Sequence, residues 1–474
     1  MRQINFSKIK TVHFIGIGGI GISAIARMFL YDGKKVSGSD MTESEVTEGL
    51  MKAGAVISIG EDARNIPPDC DLVIYTIAIP QEHVELTEAK KRGTTALSYP
   101  EALGVISKDK YTLAITGTHG KTTTTAMIAK ILMDAGLDPT VIVGSLIKDA
   151  AGNRTNFIAG KSKYLVVEAC EYKRSFLNII PKILVITNID ADHLDYYKDL
   201  DDIESGFREL AAKVPKDGVV ICDFSDARAK RAACLPPAGR RGGAGRRRGG
   251  ERIIDFGKFV AKVPTLLAPG AHNKKNAAAA LAVADFLGID LEQARSALGG
   301  FMGAARRFEL RGKAKNGALV YDDYGHHPTE IKATLAGARE LFPLSSEGGS
   351  ASGGNKGGGS GGLSPKIVVV FQPHLYSRTK DHLKAFGKCF KDANEIILLP
   401  IYPAREKNPG NISSEMVVKE IKENDQSACS VATFAEAAKK AATLAGGSGV
   451  IITMGAGETN KVADILILPL PVVR

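Results

Sequence analysis

Gly117-Thr118-His119-Gly120-Lys121-Thr122 stands at the end of a short apolar run, YTLAIT, and at the start of a helix-like segment, KTTTTAMIAKI. Residue types in that order suit one kind of chemistry. Glycines at 117 and 120 let the chain turn tightly enough to aim successive N–H groups at anionic oxygens. A helix opening near Lys121 adds its positive end, the Lys121 ammonium can neutralise charge on β/γ-phosphates, and the Thr122 hydroxyl can ligate Mg²⁺. The segment reads as a nucleotide-phosphate loop. It departs from the G-x-x-x-x-G-K-[ST] pattern at Ile115, where that pattern has glycine.

A second glycine loop, Gly16-Ile17-Gly18-Gly19-Ile20-Gly21, follows the apolar run TVHFI, opens another helix-like segment and has Asp40 at the end of the next strand. That context makes G-x-G-x-x-G a diphosphate-binding turn, and taken alone it suggests a dinucleotide with Asp40 on the ribose. A second nucleotide loop changes the balance, because phosphoryl transfer needs no nicotinamide. A nucleotide-linked substrate at the first loop and ATP at the second accounts for both.

Carboxylates at strand ends are the next candidates. Glu168 closes the run KYLVVE, and Asp190, Asp192 and His193 follow ILVITN. The carboxyl ends of neighbouring strands converge on one crevice in an α/β sheet, so these groups can hold Mg²⁺ against phosphates. A single Asp after a strand is more often a helix cap, and Asp190 or Asp192 could be just that. Glu168 is the stronger ligand candidate, since an unpaired charge closing a buried run is costly. Further on, Asp322-Asp323-Tyr324-Gly325-His326-His327 and Phe371-Gln372-Pro373-His374 with Arg378 place Asp, Tyr, His and Arg after two more apolar runs. They suit a small zwitterion or a transferring phosphate. The paired histidines lack the spacing of a zinc site.

The elements that must position these residues read as three α/β sets in series. Strands are expected near 11–16, 34–40, 71–77 and 94–98, then near 111–116, 139–143, 163–168, 182–187 and 218–222. A third set follows near 317–322, 366–371, 394–399 and 448–453, with helices at 20–30, 328–341, 378–391 and 433–445. Alternation of this kind predicts mostly parallel sheets covered on both faces.

With 474 residues, 44% of them hydrophobic, the chain can bury several cores. The first residues lack a signal-peptide profile and no apolar run reaches the ~18 residues of a membrane helix, so a cytoplasmic protein with no membrane partner is expected. The six cysteines form no C-x-x-C pair and read as reduced thiols. The net charge of +10 suggests nucleic acid, yet six arginines and one glutamate between 239 and 252 supply half of it. That tract lacks the interleaved aromatics of a base-stacking groove. It overlaps the Gly-rich segment 236–250. This segment and a second at 345–364 are too polar to repay ordering and are expected as mobile surface insertions.

The ordered motifs HFIGIGGIGISAIA, VSGSD, GTHGKTTTT, TNIDADHLDYY, GAHNKKNAAAAL, RRFELRG, DDYGHHPTE and FQPHLYSRTKDH resemble those of the Mur ligases from His13 to about Thr459. The resemblance implies a Rossmann-like, UDP-substrate-binding domain at 1–106, with Gly16, Gly18, Gly19, Gly21 and Asp40 on the substrate. It implies a P-loop-type ATPase domain with a mostly parallel sheet at 107–302, and a Rossmann-like amino-acid-binding domain at 303–474. Carried over by position, Gly117, Thr118, His119, Gly120, Lys121, Thr122 and Thr123 line the ATP phosphates, and Thr122, Glu168 and His193 serve Mg²⁺. His272 and Asn276 match adenine contacts, Arg307 with Asp322 or Asp323 the phosphate and ribose side, and Tyr324, His326 and Arg378 the amino acid. Lys121, His193, His326 and Arg378 are the implied catalytic set, with His326 as the proton acceptor.

The implied reaction joins L-alanine to the lactyl carboxylate of UDP-N-acetylmuramate through an acyl phosphate, in a monomer or homodimer. Two positions depart from the family. Glu168-Ala169-Cys170-Glu171-Tyr172-Lys173 replaces an acidic E-A-D-E-S-type run, and Leu375 stands where members often have a second arginine. A sister ligase that attaches a preformed peptide would need a larger pocket in the third domain. A nicotinamide-dependent oxidoreductase would leave the 117–122 loop unexplained, and a nucleic-acid-dependent NTPase would rest on the arginine tract alone.

Overall fold

The computed structural model describes residues 4–148, 154–194, 196–234, 252–301, 303–344, 365–404 and 406–467. The insertions expected at 236–250 and 345–364 lie outside them. The described strands form three sheets. The first contains β1 (Thr11–Ile15), β2 (Lys35–Asp40), β3 (Val56–Ile59), β4 (Leu72–Tyr75) and β5 (Thr95–Ser98), all parallel in the order β3-β2-β1-β4-β5.

The second sheet contains β6 (Tyr111–Thr116), β7 (Thr140–Lys148), β8 (Arg154–Ile158), β9 (Tyr164–Glu168), β10 (Ile183–Ile186), β11 (Val219–Cys222) and β12 (Arg252–Asp255). Their order is β12-β11-β10-β6-β9-β7-β8, parallel except for the β7–β8 hairpin. The third contains β13 (Glu309–Lys313), β14 (Leu319–Asp323), β15 (Ile367–Phe371), β16 (Glu395–Leu398), β17 (Ala428–Ser430) and β18 (Val450–Met454). Only the β13–β14 pair runs antiparallel in the order β13-β14-β18-β15-β16-β17.

Interior strands such as β10 (ILVI) and β15 (IVVVF) are buried at every residue, as helices on both faces of a parallel sheet require. The chain divides into two compact units. One comprises residues 1–266 with 274–305 and carries the first two sheets; the other comprises 267–273 with 306–474 and carries the third. Within the first unit the sheets share one apolar core running from Val12 and Phe14 to Phe176 and Phe207. Asn156 of β8 reinforces the seam, donating to Ser23 Oγ at 2.7 Å and to the Ile20 carbonyl.

The helix expected over 378–391 is two short ones, Tyr376–Asp381 and Leu383–Phe386, with His382 at the break. Gly387 then lies so close to the Glu420 carbonyl that a Cβ would come within 2.9 Å of its oxygen, and the chain turns away there. Among the described residues no helix is long and apolar enough to cross a membrane.

Candidate functional site

Strand β6 delivers the 117–122 loop to the carboxyl edge of the second sheet, between β10 and β9. Gly117 (φ +131°) and Gly120 (φ +84°) occupy backbone conformations closed to most side chains. A Cβ on Gly117 would come within 2.0 Å of Thr187 Oγ1, and one on Gly120 within 2.4 Å of Asn276 Oδ1. The loop is laced to the segment after β10. Asn188 Oδ1 accepts from the His119 N–H (3.0 Å), while Asn188 Nδ2 and Thr187 Oγ1 donate to the His119 carbonyl at 2.8 and 2.6 Å. Thr118 Oγ1 donates to the Asp190 carbonyl (3.1 Å), and His119 Nε2 lies 3.4 Å from Asp190 Oδ2. The helix Lys121–Asp134 begins at Gly120 with no side-chain cap, so no capping oxygen takes its first N–H groups, the arrangement that suits an anion. Thr123 is buried on its first turn.

Lys121 turns back into the loop. Its ammonium donates to the Gly117 and Thr118 carbonyls at 2.6 and 3.0 Å and meets Glu171 Oε1 at 3.1 Å. Burial alone would lower the Lys121 pKa, but the Glu171 and Glu168 carboxylates outweigh it and hold the amine above the usual lysine range. Thr122 Oγ1 donates to Glu168 Oε2 at 3.0 Å, and the Gly144 N–H donates to the same oxygen at 2.9 Å. One hydroxyl and one carboxylate at hydrogen-bond distance beside a phosphate loop form the oxygen-donor pair that Mg²⁺ prefers, so these residues fit the metal. His193 is held at φ +55°, lies tilted against Tyr172 at 4.8 Å between centroids, and has Nε2 3.9 Å from Glu171 Oε1. Thr122 and Glu168 are thus brought together, while His193 faces Glu171.

At the carboxyl edge of the first sheet a cavity of about 500 Å³ is lined by Gly16, Gly18, Gly19 and Asp40. Asp40 Oδ2 accepts the Gly18 N–H at 2.8 Å. Gly21 lies elsewhere, in the helix Ile20–Tyr31, where a Cβ would come within 2.7 Å of the Tyr99 ring; its role there is helix packing. Sequence reasoning missed His83 and Glu61 on the cavity wall, paired at 3.3 Å. No motif marks them.

In the second unit, Asp322 and Asp323 end β14 but are buried among partners of their own. Asp322 accepts from Arg306 Nε (3.0 Å) and Thr453 Oγ1 (2.6 Å), and Asp323 from the N–H groups of Phe308 and Gly325, each at 2.8 Å. Burial raises both carboxyls above the ordinary range, against the pull of Arg306 on Asp322 and of Arg307 on Asp323. This is the geometry of a framework. Arg307 is more loosely held, 3.9 Å from Glu330 Oε1 and over the Tyr324 ring.

Tyr324, His326 and Arg378 form one cluster through His374. Tyr324 and His326 rings lie 5.4 Å apart, His326 and His374 6.0 Å apart, and Arg378 Nη1 is 3.3 Å from His374 Nδ1. His326 Nδ1 lies 3.1 Å from the Tyr324 carbonyl, which can only accept, so the neutral ring keeps its lone pair on Nε2. Leu375 is buried at φ +67° and carries no charge into the cluster. His272 and Asn276 stand one turn apart at the start of the helix Ala271–Leu287, and burial lowers the His272 pKa to about 4, which keeps its imidazole neutral.

Three mainly parallel sheets with a lysine-bearing glycine loop at the edge of the second define a three-domain α/β protein of the phosphate-loop type. Sequence comparison narrows that class. Profiles described as "Mur ligase family, catalytic domain", "Mur ligase middle domain" and "Mur ligase, glutamate ligase domain" match residues 11–111, 115–284 and 306–349. The chain belongs to the Mur ligase family. The UDP-N-acetylmuramate–L-alanine ligase of Clostridium kluyveri is 39% identical, over 98% of this chain and 99% of that protein. The ligase of the same name from Clostridium perfringens is 38% identical over 97% and 98%. Among solved structures, the UDP-N-acetylmuramate-alanine ligase MurC of Thermotoga maritima superposes with a TM-score of 0.74 at 28% identity, covering 96% of this chain and 99% of that one. A murein peptide ligase from Psychrobacter arcticus shares the fold, with a TM-score of 0.65 at 21% identity over 97% and 100%.

Proposed function

We propose that this chain is an ATP-dependent carboxylate–amine ligase that joins L-alanine to the lactyl carboxylate of UDP-N-acetylmuramate, a step in peptidoglycan precursor synthesis in the cytoplasm. The observation that carries this reading is the near end-to-end identity of 39% with a ligase of that name. The boundaries 1–106, 107–302 and 303–474 belong to the same proposal.

The residues have coherent tasks within it. Lys121 and the uncapped N–H groups of the 117–122 loop bind the ATP phosphates, and Thr122 and Glu168 hold Mg²⁺ with His193 nearby. When bound, Mg²⁺ supplies positive charge against the transferring phosphoryl oxygens, where phosphoryl transfer needs most of its stabilisation. His272, neutral and half-buried, and Asn276 offer uncharged contacts to adenine. Gly16, Gly18, Gly19 and Asp40 receive the UDP part of the sugar nucleotide. Arg378 binds the L-alanine carboxylate beside Tyr324. His326 takes the proton from the attacking amine at Nε2, since its Nδ1 already donates to a carbonyl.

Phosphate release from ATP tests the proposal, with UDP-N-acetylmuramate present and L-alanine, a tripeptide or no acceptor added. Release that requires both the sugar nucleotide and L-alanine is expected. Release with the tripeptide alone would move the chain to the peptide-adding activity.

A further inference from the structure

Glu171 is used by none of the steps above, yet it is among the most buried carboxylates in the protein, at 2% exposure. Its backbone is pinned: the Arg174 N–H and the Tyr197 hydroxyl both donate to its carbonyl. Its side chain faces inward to Lys121, whose ammonium lies 3.1 Å from Oε1 and 3.0 Å from Oε2. The same ammonium is bonded to the carbonyls of Gly117 and Thr118. In this arrangement the lysine occupies the loop that its N–H groups would otherwise wrap around a phosphate.

A phosphate entering the loop must therefore draw Lys121 off its present partners. The carboxylate left behind would be a buried charge without its cation, which is unfavourable unless another cation replaces it. Glu168 is not in this position, because the Thr122 hydroxyl and the Gly144 N–H both donate to its Oε2 without the help of Lys121. The neighbour Glu171 does have, His193 Nε2 at 3.9 Å, is beyond hydrogen-bond distance and is itself a potential metal ligand.

We propose that Glu171 is a positioning residue: it holds Lys121 against the loop carbonyls, yields it to the phosphates when a nucleotide binds, and then draws in the divalent cation that accompanies the nucleotide. Nucleotide and metal binding are coupled through this exchange. The proposal rests on the reading of 117–122 as the nucleotide-phosphate loop.

The experiment measures ADP affinity by calorimetry, in EDTA and in Mg²⁺, for the wild-type chain, Glu171→Gln, Glu171→Asp, Lys121→Met and the Glu171→Gln/Lys121→Met pair. In EDTA, Glu171→Gln should bind ADP on the order of tenfold more tightly than wild type, since no ion pair has to be broken. Mg²⁺ should strengthen wild type and Glu171→Asp by a larger factor than Glu171→Gln, which keeps Thr122 and Glu168 but lacks the second carboxylate. The gain from Glu171→Gln should vanish in the Lys121→Met background, the non-additivity expected of residues acting through one another. A gain that persists there would reduce Glu171 to a diffuse negative charge, and no gain in the single variant would remove the exchange altogether. Either result overturns the proposal while leaving the loop intact. Unchanged ADP binding by Lys121→Met would instead overturn the loop reading itself.

Discussion

The two glycine loops follow the same plan and carry opposite charge. Each leaves a buried strand and opens a helix without a side-chain cap, at Gly19 in one and Gly120 in the other. In the first, the charged side chain at the loop is Asp40, already bonded to the Gly18 N–H; in the second it is Lys121. The glycines also answer to different demands. Gly117 and Gly120 both need a positive φ, whereas in the first loop only Gly16 does, and Gly18 is glycine because Asp40 Oδ2 would lie 2.8 Å from a Cβ. Glycine spacing therefore marks where a backbone can approach phosphate, and the nearest charged side chain decides how much negative charge the loop can take. A loop holding a lysine suits a triphosphate. A loop closed by a carboxylate suits a diphosphate whose charge is spread along a larger ligand.

The strongest way to break this contrast is Gly117→Ala. The added methyl meets Thr187 Oγ1 at 2.0 Å at a φ of +131°, and neither the threonine nor the backbone has room to yield. ATP affinity should fall by about a hundredfold or more, as expected when the phosphate-binding groups lose their alignment, with UDP-N-acetylmuramate binding unchanged. Calorimetric titration of each ligand checks this, and equal losses for both would dissolve the distinction.

The next effect is on stability. Glu85 lies beneath the first loop with Oε2 2.9 Å from His13 Nε2 and 2.7 Å from Ser39 Oγ, and Oε1 3.0 Å from Asn65 Nδ2. Burial pushes its carboxyl upward, but the bonds from His13, Asn65 and Ser39 outweigh it and hold the value below the ordinary 4.5. A carboxyl depressed in the folded state contributes stability that is complete above 4.5 and lost as the pH falls below it. Glu85→Gln should cost about 1–3 kcal/mol at neutral pH, and the gap from wild type should narrow below pH 4.5. Thermal melts of both proteins at neutral and acid pH decide it; parallel curves would show that Glu85 is not the acid-sensitive support.

Much of this was legible in the residues, and what was not has a common cause. The strands that interior packing makes continuously apolar, such as β6, β10, β15 and β18, stand out in the sequence. Those that escaped, β3, β8, β12, β13 and β17, are all edge strands, half open to solvent, and Val56 of β3 is 71% exposed. Their apolar signal is diluted because only one neighbour and one covered face select it. At the site, Lys121, Thr122 and Glu168 were visible because motif and strand end coincide. Glu171 was not, since its partner lies 50 residues away across the sheet. Asp322 and Asp323 show the converse. Ending a strand made them look like ligands, but Arg306, Thr453 and the Phe308 N–H, set by tertiary contacts, bury them as framework.

A more moderate loss is expected at the first loop from Asp40→Ala. The change removes the acceptor of the Gly18 N–H and loosens the loop, which the Gly16 and Ile17 N–H groups still tie to the Ser39 carbonyl of β2. The KM for UDP-N-acetylmuramate should rise by about tenfold, the scale of one charge-assisted hydrogen bond, while the KM for ATP stays level. A rise in the KM for ATP alone would reverse the assignment of the two loops.

The smallest effect sharpens the comparison most, because it separates a glycine the fold needs from one the ligand needs. Gly19 has φ −62° and is exposed in the cavity, and an added Cβ would meet Ile22 Cγ2 at 3.1 Å and the Gly16 carbonyl at 3.4 Å. A shift of a few tenths of an ångström in Ile22 relieves the first contact and the second is ordinary van der Waals contact, so Gly19→Ala should change stability by less than about 0.5 kcal/mol, within the range of ordinary surface substitutions. Its methyl would nonetheless stand at the helix opening, where a diphosphate must approach the backbone. The expected outcome is an unchanged melting temperature with a raised KM for UDP-N-acetylmuramate. A lowered melting temperature with an unchanged KM would make Gly19 a packing residue like Gly21, and the diphosphate would then have to lie further along the cavity toward Asp40.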